Sequence, residues 1–123
     1  MTNEAPSPKT KKFDLEDRTA SFGIEIIRLA KRVPETVITK PLISQIIRSG
    51  TSIGANYMEA DVAESKKDFI HKIKLCKKEA KETLHWLRML AEVAPKEKEA
   101  CRKLWKEASE LVRIFGAISK PKA

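Results

Sequence analysis

Apolar residues recur at intervals of three and four along almost the whole of this chain, from residue 13 to residue 118. That spacing gathers them on one side of a helix, and the strict alternation of a half-buried strand is absent. A chain patterned this way hides its apolar residues by packing helix on helix. Composition agrees, since aromatics make up 6% and there are only four glycines, too few for a sheet with tight turns.

Four stripes can be followed. In the first, Leu15, Phe22, Ile26, Leu29 and Val33 lie on one face; Asp14 can cap it, Asp17 favours its positive end, and Pro34 stops it. The second helix starts near Thr39–Pro41, where proline is tolerated, and aligns Leu42, Ile46, Ser49, Ile53, Asn56, Tyr57 and Ala60. Ser65 followed by Asp68 opens the third like a capping box, and Phe69, Ile73, Cys76, Ala80, Leu84, Leu87 and Ala91 form its stripe. Pro95 opens the fourth, with Ala100, Leu104, Ala108, Leu111, Phe115 and Ile118. The expected fold is all-α, an antiparallel up-down-up-down four-helix bundle over residues 13–120. Its helices fall at about 14–33, 40–63, 65–93 and 95–118, judged from period and punctuation. Residues 1–12, with Pro6, Pro8 and three lysines, are expected to form a flexible basic tail.

No apolar run approaches the ~20 residues of a membrane span, and the first residues lack the apolar segment of a secretion signal. Membrane insertion and secretion are therefore not expected. Two cysteines, Cys76 and Cys101, both fall inside helical pattern. They cannot staple a scaffold, and they fit a reducing cytoplasm.

Lysine and arginine total 25 against 17 aspartates and glutamates, a net charge of +8. The excess is uneven: residues 34–64 sum to −2, whereas residues 65–93 and 95–123 each sum to +4. On the third helix Lys67, Lys74, Lys78 and Lys81 fall within about 60° of arc. On the fourth, Arg102, Lys106, Arg113 and Lys120 fall within about 40°, almost opposite the apolar stripe. Such faces can track phosphates, each contact releasing counterions. The competing reading is a solubilising face, because Glu99, Glu107 and Glu110 are interspersed and no aromatic interleaving offers a base-stacking platform.

The third helix has a second face. His71, Leu75, Glu82, Trp86 and Met89 lie roughly opposite its stripe, and a lone bundle is expected to leave Leu75, Trp86 and Met89 wet. Clustered exposed apolar groups mark interfaces, so these three are candidates for self-association. Trp105, Ile24 and Ile27 also sit off their stripes, and all of these residues could instead cover the flanks of the bundle.

Within Ser49–Ala55, Gly50 and Gly54 each cost about 1 kcal/mol relative to alanine inside a helix. Close approach of a neighbouring backbone offsets that loss. A phosphate-cradling loop fails on pattern, for no lysine follows Gly54 and no strand precedes the segment. Asn56 falls on the core side, and an unpaired buried amide costs roughly 1–3 kcal/mol. A structural polar cluster of Ser52, Asn56, Glu59 and Glu79 would satisfy it and fix register; the functional alternative is a ligand or proton-transfer site.

Catalytic constellations are scarce. Glu82 and His85 form one Glu-x-x-His unit, but a di-iron carboxylate bundle needs two, with two further glutamates pointing inward. Cys76 and His71 lack the companion pair of a zinc site. No enzyme, metal or cofactor is expected, and no catalytic residue is assigned.

The segment Ser52-Ile53-Gly54-Ala55-Asn56-Tyr57-Met58-Glu59-Ala60 resembles the S-I-x-x-N-I-x-E-G/A signature of the bacterial four-helix-bundle family of 23S ribosomal-RNA intervening-sequence proteins. Upstream, Leu42 to Gly50 resembles that family's L-x-x-Q-x-x-R-A/S-x stretch. Downstream, Lys67-Asp68-Phe69-Ile70 and Glu79 to Leu87 are similar to its F…L…A…S…E…E…W-L pattern. Two departures touch packing: Cys76-Lys77-Lys78 replaces small residues, and Tyr57-Met58 replaces Ile-Ala. The resemblance implies a homopentamer of short left-handed bundles without known catalytic residues. A related group serves as an accessory factor to diversity-generating reverse transcriptases, where a positively charged pentamer engages nucleic acid. By implication this chain assembles with itself and binds RNA or another nucleic acid; a protein-interaction scaffold is the alternative.

Overall fold

Sequence periodicity fixes where each helix turns its buried side, and the connectors fix where it stops. The computed structural model describes residues 14–121. The tail expected at residues 1–12 lies outside them. Four helices follow one another: α1 (Leu15–Arg32), α2 (Thr39–Asp61), α3 (Lys66–Val93) and α4 (Lys98–Ile118). A single 3₁₀ turn, Pro95–Glu97, leads into α4, so the last helix proper begins at Lys98 rather than at the proline.

Helix boundaries have visible causes. Asp14 occupies the cap position of α1, yet its side chain makes no capping hydrogen bond; the helix starts from its carbonyl, which accepts from Arg18 N. Between α1 and α2 the hydroxyls of Thr36 and Thr39 cap reciprocally: Thr36 N–H donates to Thr39 Oγ1 at 2.8 Å and Thr39 N–H to Thr36 Oγ1 at 3.0 Å. Thr39 Oγ1 also donates to the Pro34 carbonyl at 2.7 Å, so the proline that ends α1 helps start α2. Ser65 caps α3 as expected, its Oγ accepting from Asp68 N–H at 3.0 Å.

Contacts between neighbours pair rising numbers with falling ones. Thr19 lies against Gly54 and Ile26 against Gly50 between α1 and α2. Between α2 and α3 the pairs are Ser49–Thr83, Ile53–Cys76 and Glu59–Lys72. Arg18–Glu107 joins α1 to α4, and Arg32–Glu97 joins the end of α1 to the 3₁₀ turn that leads into α4. Each helix therefore runs antiparallel to the one it packs beside. The α1–α4 seam is the most sparsely packed of the four, and ion pairs hold both of its ends.

All four stripes meet in one core. Ile26, Leu29, Ile46, Ile53, Ile73, Leu111 and Phe115 are fully buried. Each such side chain contributes on the order of 1.5–3 kcal/mol relative to exposure. Thr83, Leu90 and Cys101, outside the stripes read from the sequence, are buried too. The reason is that α3 packs against both α2 and α4, and α4 against both α3 and α1, so each hides a wider arc than one stripe.

Candidate nucleic-acid interface

The α3–α4 hairpin carries the basic surface. Lys67, Lys74, Lys78 and Lys81 on α3 are all exposed, as are Arg102, Lys106 and Arg113 on α4 and Lys120 just beyond it. Among the described residues none of these eight lies within ion-pairing distance of a carboxylate. The paired cations lie elsewhere: Arg18, Arg28 and Arg32 on α1, Lys40 and Arg48 on α2, and Lys72 on α3. Two solvent-facing rows of cations without a close carboxylate partner thus lie on one helical hairpin, with Arg113 near enough to Glu110 to help lower its pKa.

Where the C-terminal part of α3 meets the N-terminal part of α4 runs a groove of about 450 Å³, which shares Arg102 and Lys106 with the α4 row. Its floor is apolar, built from Leu87, Ala91 and Cys101. Its rim holds Arg88, Lys98, Arg102 and Lys106, and no acidic residue lines it. Trp105 stands in it, 38% exposed. This corrects the expectation that no aromatic interleaves with the basic stripes. A wheel of α4 alone places Trp105 off the core, but only the packed pair shows that its flank faces α3 and Arg88. The local run Arg102-Lys103-Leu104-Trp105-Lys106 was the signal available in the sequence.

The polar residues of α2 and α3 separate into local bonds instead of gathering. Asn56 Nδ2 donates to the Ser52 carbonyl at 2.9 Å, and Ser52 Oγ donates to the Arg48 carbonyl at 2.6 Å. Glu59 accepts from Lys72 at 2.7 Å and Glu79 from Arg48 at 3.1 Å. Ser52, Asn56, Glu59 and Glu79 therefore do not form the expected cluster. Asn56 is only half-buried and satisfies its amide one turn back on its own helix. The polar pair sealed inside the interface is Ser49–Thr83, at 2.9 Å and fully buried, which the sequence reading did not single out.

The second face of α3 is drier than expected. Trp86 is half-buried against the core, and its Nε1 donates to Glu82 at 3.1 Å. Glu82 also pairs with Arg48, which reaches Glu79 as well, so this tryptophan is tied to α2. Leu75 is half-buried; of the three, Met89 alone is exposed, at 37%. Exposed apolar side chains gather instead along the α1–α2 groove, where Ile24, Ile27 and Met58 line a hollow of about 330 Å³ floored by Gly23 and Gly54.

Of the Glu-x-x-His unit, Glu82 is engaged with Arg48 and Trp86, while His85 is exposed with its ring edge-on to Trp86 at 4.9 Å. Among the described residues, no three of the His, Cys, Asp and Glu side chains gather as a metal site. Burial raises the Cys76 thiol to about 12 and the Cys101 thiol to about 11, far from the range of a reactive thiolate. A cavity of about 650 Å³ lies where the α1–α2 and α3–α4 connectors meet, and Arg32 and Glu97 in its lining pair with each other at 2.9 Å. No described helix is long and apolar enough to cross a membrane.

Comparison with known proteins adds two findings. The family model described as "23S rRNA-intervening sequence protein" matches residues 11–117. A crystal structure of a protein of unknown function from the S23 ribosomal protein family of Bacteroides thetaiotaomicron is 34% identical. The alignment covers 87% of this chain and 99% of that one, with a TM-score of 0.77. No curated protein matches the chain.

Proposed function

The chain belongs to the family of 23S rRNA-intervening sequence proteins, and from that premise we propose that it is a cytoplasmic, self-associating binding protein that holds structured RNA on the basic face of α3 and α4. The observation that carries this reading is the set of eight exposed cations, free of carboxylate partners among the described residues. A purely solubilising surface intersperses both signs so that neighbours pair. Here the close ion pairs form on other faces and these eight cations make none, which supports a polyanion site. Self-association multiplies such weak contacts through effective concentration. The wet apolar strip Ile24, Ile27 and Met58 supports it more strongly than Leu75, Trp86 and Met89 do. The homopentamer implied by the resemblance belongs to this proposal; light scattering would then give five times the chain mass of 13.9 kDa.

Binding to ribosomal RNA and to a DNA duplex of matched length, across a salt series, tests the function. A steep salt slope with RNA preference surviving near physiological ionic strength supports it. Reversal of Arg102, Lys106 and Arg113 to Glu is expected to abolish RNA binding and leave the helical signal unchanged, since all three side chains are solvent-exposed. Unchanged affinity and salt slope in that variant would remove these residues from the site. Loss of binding to both polymers at the same modest salt would favour a protein-interaction scaffold.

A further inference from the structure

The two tryptophans of this bundle are treated differently by their surroundings. Trp86 is half-buried and its indole N–H is taken by Glu82. Trp105 is 38% exposed, belongs neither to the buried core nor to the side chains packed on it, and its indole N–H has no partner among the described residues. More than half of the ring is covered by the groove, and the remainder, with the N–H, stays available to a ligand. Its setting is also specific. The groove beneath it is apolar, four of its eight lining residues are cationic, and none is acidic.

We propose that the α3–α4 groove is a nucleotide-binding subsite, in which Trp105 stacks on one unpaired base and Arg88, Lys98, Arg102 and Lys106 hold the phosphates on either side of it. The inference rests on the RNA reading above and adds to it a preference for a looped-out or single-stranded base. Each element answers a demand of such a ligand. A flat indole beside a floor of Leu87, Ala91 and Cys101 accepts any base by its face, without reading its edge. Cations at the rim, three of them on α4 and one on α3, meet a backbone that must pass along the groove before and after the stacked base. The volume of about 450 Å³ lies in the range of small-ligand pockets. An acidic protein segment would satisfy the same charges, but it would not use the aromatic face, which makes the nucleotide the better fit.

The test compares two labelled oligomers of about eight nucleotides, one of uridylate and one abasic, with identical phosphates. Wild type, Trp105→Leu and Trp105→Phe are measured against both, with indole fluorescence followed in parallel. The uridylate is expected to bind about tenfold more tightly than the abasic chain and to quench the indole signal. Trp105→Leu brings its affinity down to the abasic level, Trp105→Phe keeps most of the difference, and abasic binding is the same in all three. Equal binding of both oligomers in wild type, insensitive to Trp105→Leu, overturns the stacking site and leaves the phosphate reading in place. Absence of binding to either oligomer at low salt overturns both. Quenching by polyglutamate as strong as by uridylate assigns the groove to an acidic protein partner and overturns the proposal. A matching thermal midpoint for the variants confirms that a loss of affinity is not a loss of fold.

Discussion

A Cβ placed on Gly50 of α2 would lie 2.8 Å from Cγ1 of Ile26 on α1, with Ile26 Cγ2 at 3.0 Å and Cβ at 3.3 Å. Ile26 is fully buried and branched at Cβ, so it cannot swing away from the intruding carbon. Gly50→Ala gains about 1 kcal/mol of helix propensity but incurs an overpacking cost of roughly 1–3 kcal/mol. A net loss of up to about 2 kcal/mol is expected by urea titration. Gly23, on the facing helix, has its nearest neighbour at 3.6 Å, an ordinary contact. Gly23→Ala should therefore stabilise by roughly 0.5–1 kcal/mol. Opposite signs for the two glycines are the diagnostic result; two gains would mean that α1 and α2 do not approach so closely at Gly50.

The buried hydroxyl pair of Ser49 and Thr83 makes a different prediction. Thr83 Oγ1 lies 2.9 Å from Ser49 Oγ and 2.7 Å from the Glu79 carbonyl, and no buried polar side-chain atom among the described residues lacks a partner. Ser49→Ala removes one partner and is expected to cost about 1 kcal/mol. Combining it with Thr83→Val removes both polar groups at similar volume, so the double variant should fall well short of the summed single losses. Full additivity in this cycle would show that the hydroxyls do not bond across the interface.

That pair also shows where the sequence stops being informative. The helical stripes were legible because a period of three and four is a property of one helix, and Leu15, Ile26, Ile53, Ile73, Leu87, Leu111 and Phe115 are buried as the period requires. The Ser65 cap was legible for the same reason, being local. Flanks were not. A wheel says that Trp86 and Trp105 lie off their stripes, but not that one turns toward Arg48 of α2 and the other toward Arg88 of α3. Both readings depend on which helix is the neighbour. The Ser52, Asn56, Glu59 and Glu79 grouping failed similarly, since Ser52 and Asn56 use backbone carbonyls one turn back while Glu59 and Glu79 are taken by cations of the facing helix. The basic rows of α3 and α4 were legible as charge, whereas the groove that the two helices form around Trp105 was not.

The α1–α4 seam depends on Arg18. Its guanidinium contacts Glu107 at 2.7 Å and Glu110 at 2.8 Å, which holds Arg18 well above the ordinary arginine range and Glu110 below the usual carboxylate range. The Glu107 contact is two-pronged, with both side chains about a third exposed. Arg18→Ala is expected to cost about 1–2 kcal/mol through that pair, with most of the loss recovered as coupling in a double-mutant cycle with Glu107→Ala. Glu110 has a depressed folded pKa, so its contribution is present above the ordinary glutamate value and is lost as pH falls through the lowered one. Wild type should therefore lose stability on acidification over a window in which Arg18→Ala changes less. Identical acid limbs for the two proteins would show that Arg18 does not hold this seam.

Alkaline pH tests the opposite side of the same linkage at the two cysteines. Burial raises the Cys76 thiol from 9.0 to about 12 and the Cys101 thiol to about 11. Cys76 also donates its S–H to the Ile53 carbonyl at 3.5 Å, a bond that its thiolate cannot make. Because a thiol is an acid whose neutral form is favoured by folding, the native chain keeps its protons to higher pH than the unfolded chain does. The contribution is therefore complete below about pH 9 and declines as pH rises toward about 11 and 12. The urea midpoint of wild type should fall across that range, and the combined Cys76→Ala and Cys101→Ala variant should fall less steeply, whatever its stability at neutral pH. Tyr57, raised chiefly by burial, titrates in both proteins, and the smaller push it receives from Cys76 in wild type adds to the same difference. Native-state alkylation supplies the kinetic counterpart: both thiols should react slowly with iodoacetamide at pH 8 and rapidly once urea opens the bundle. Equal slopes in the two proteins, or fast alkylation without urea, would place the thiols outside the sealed core.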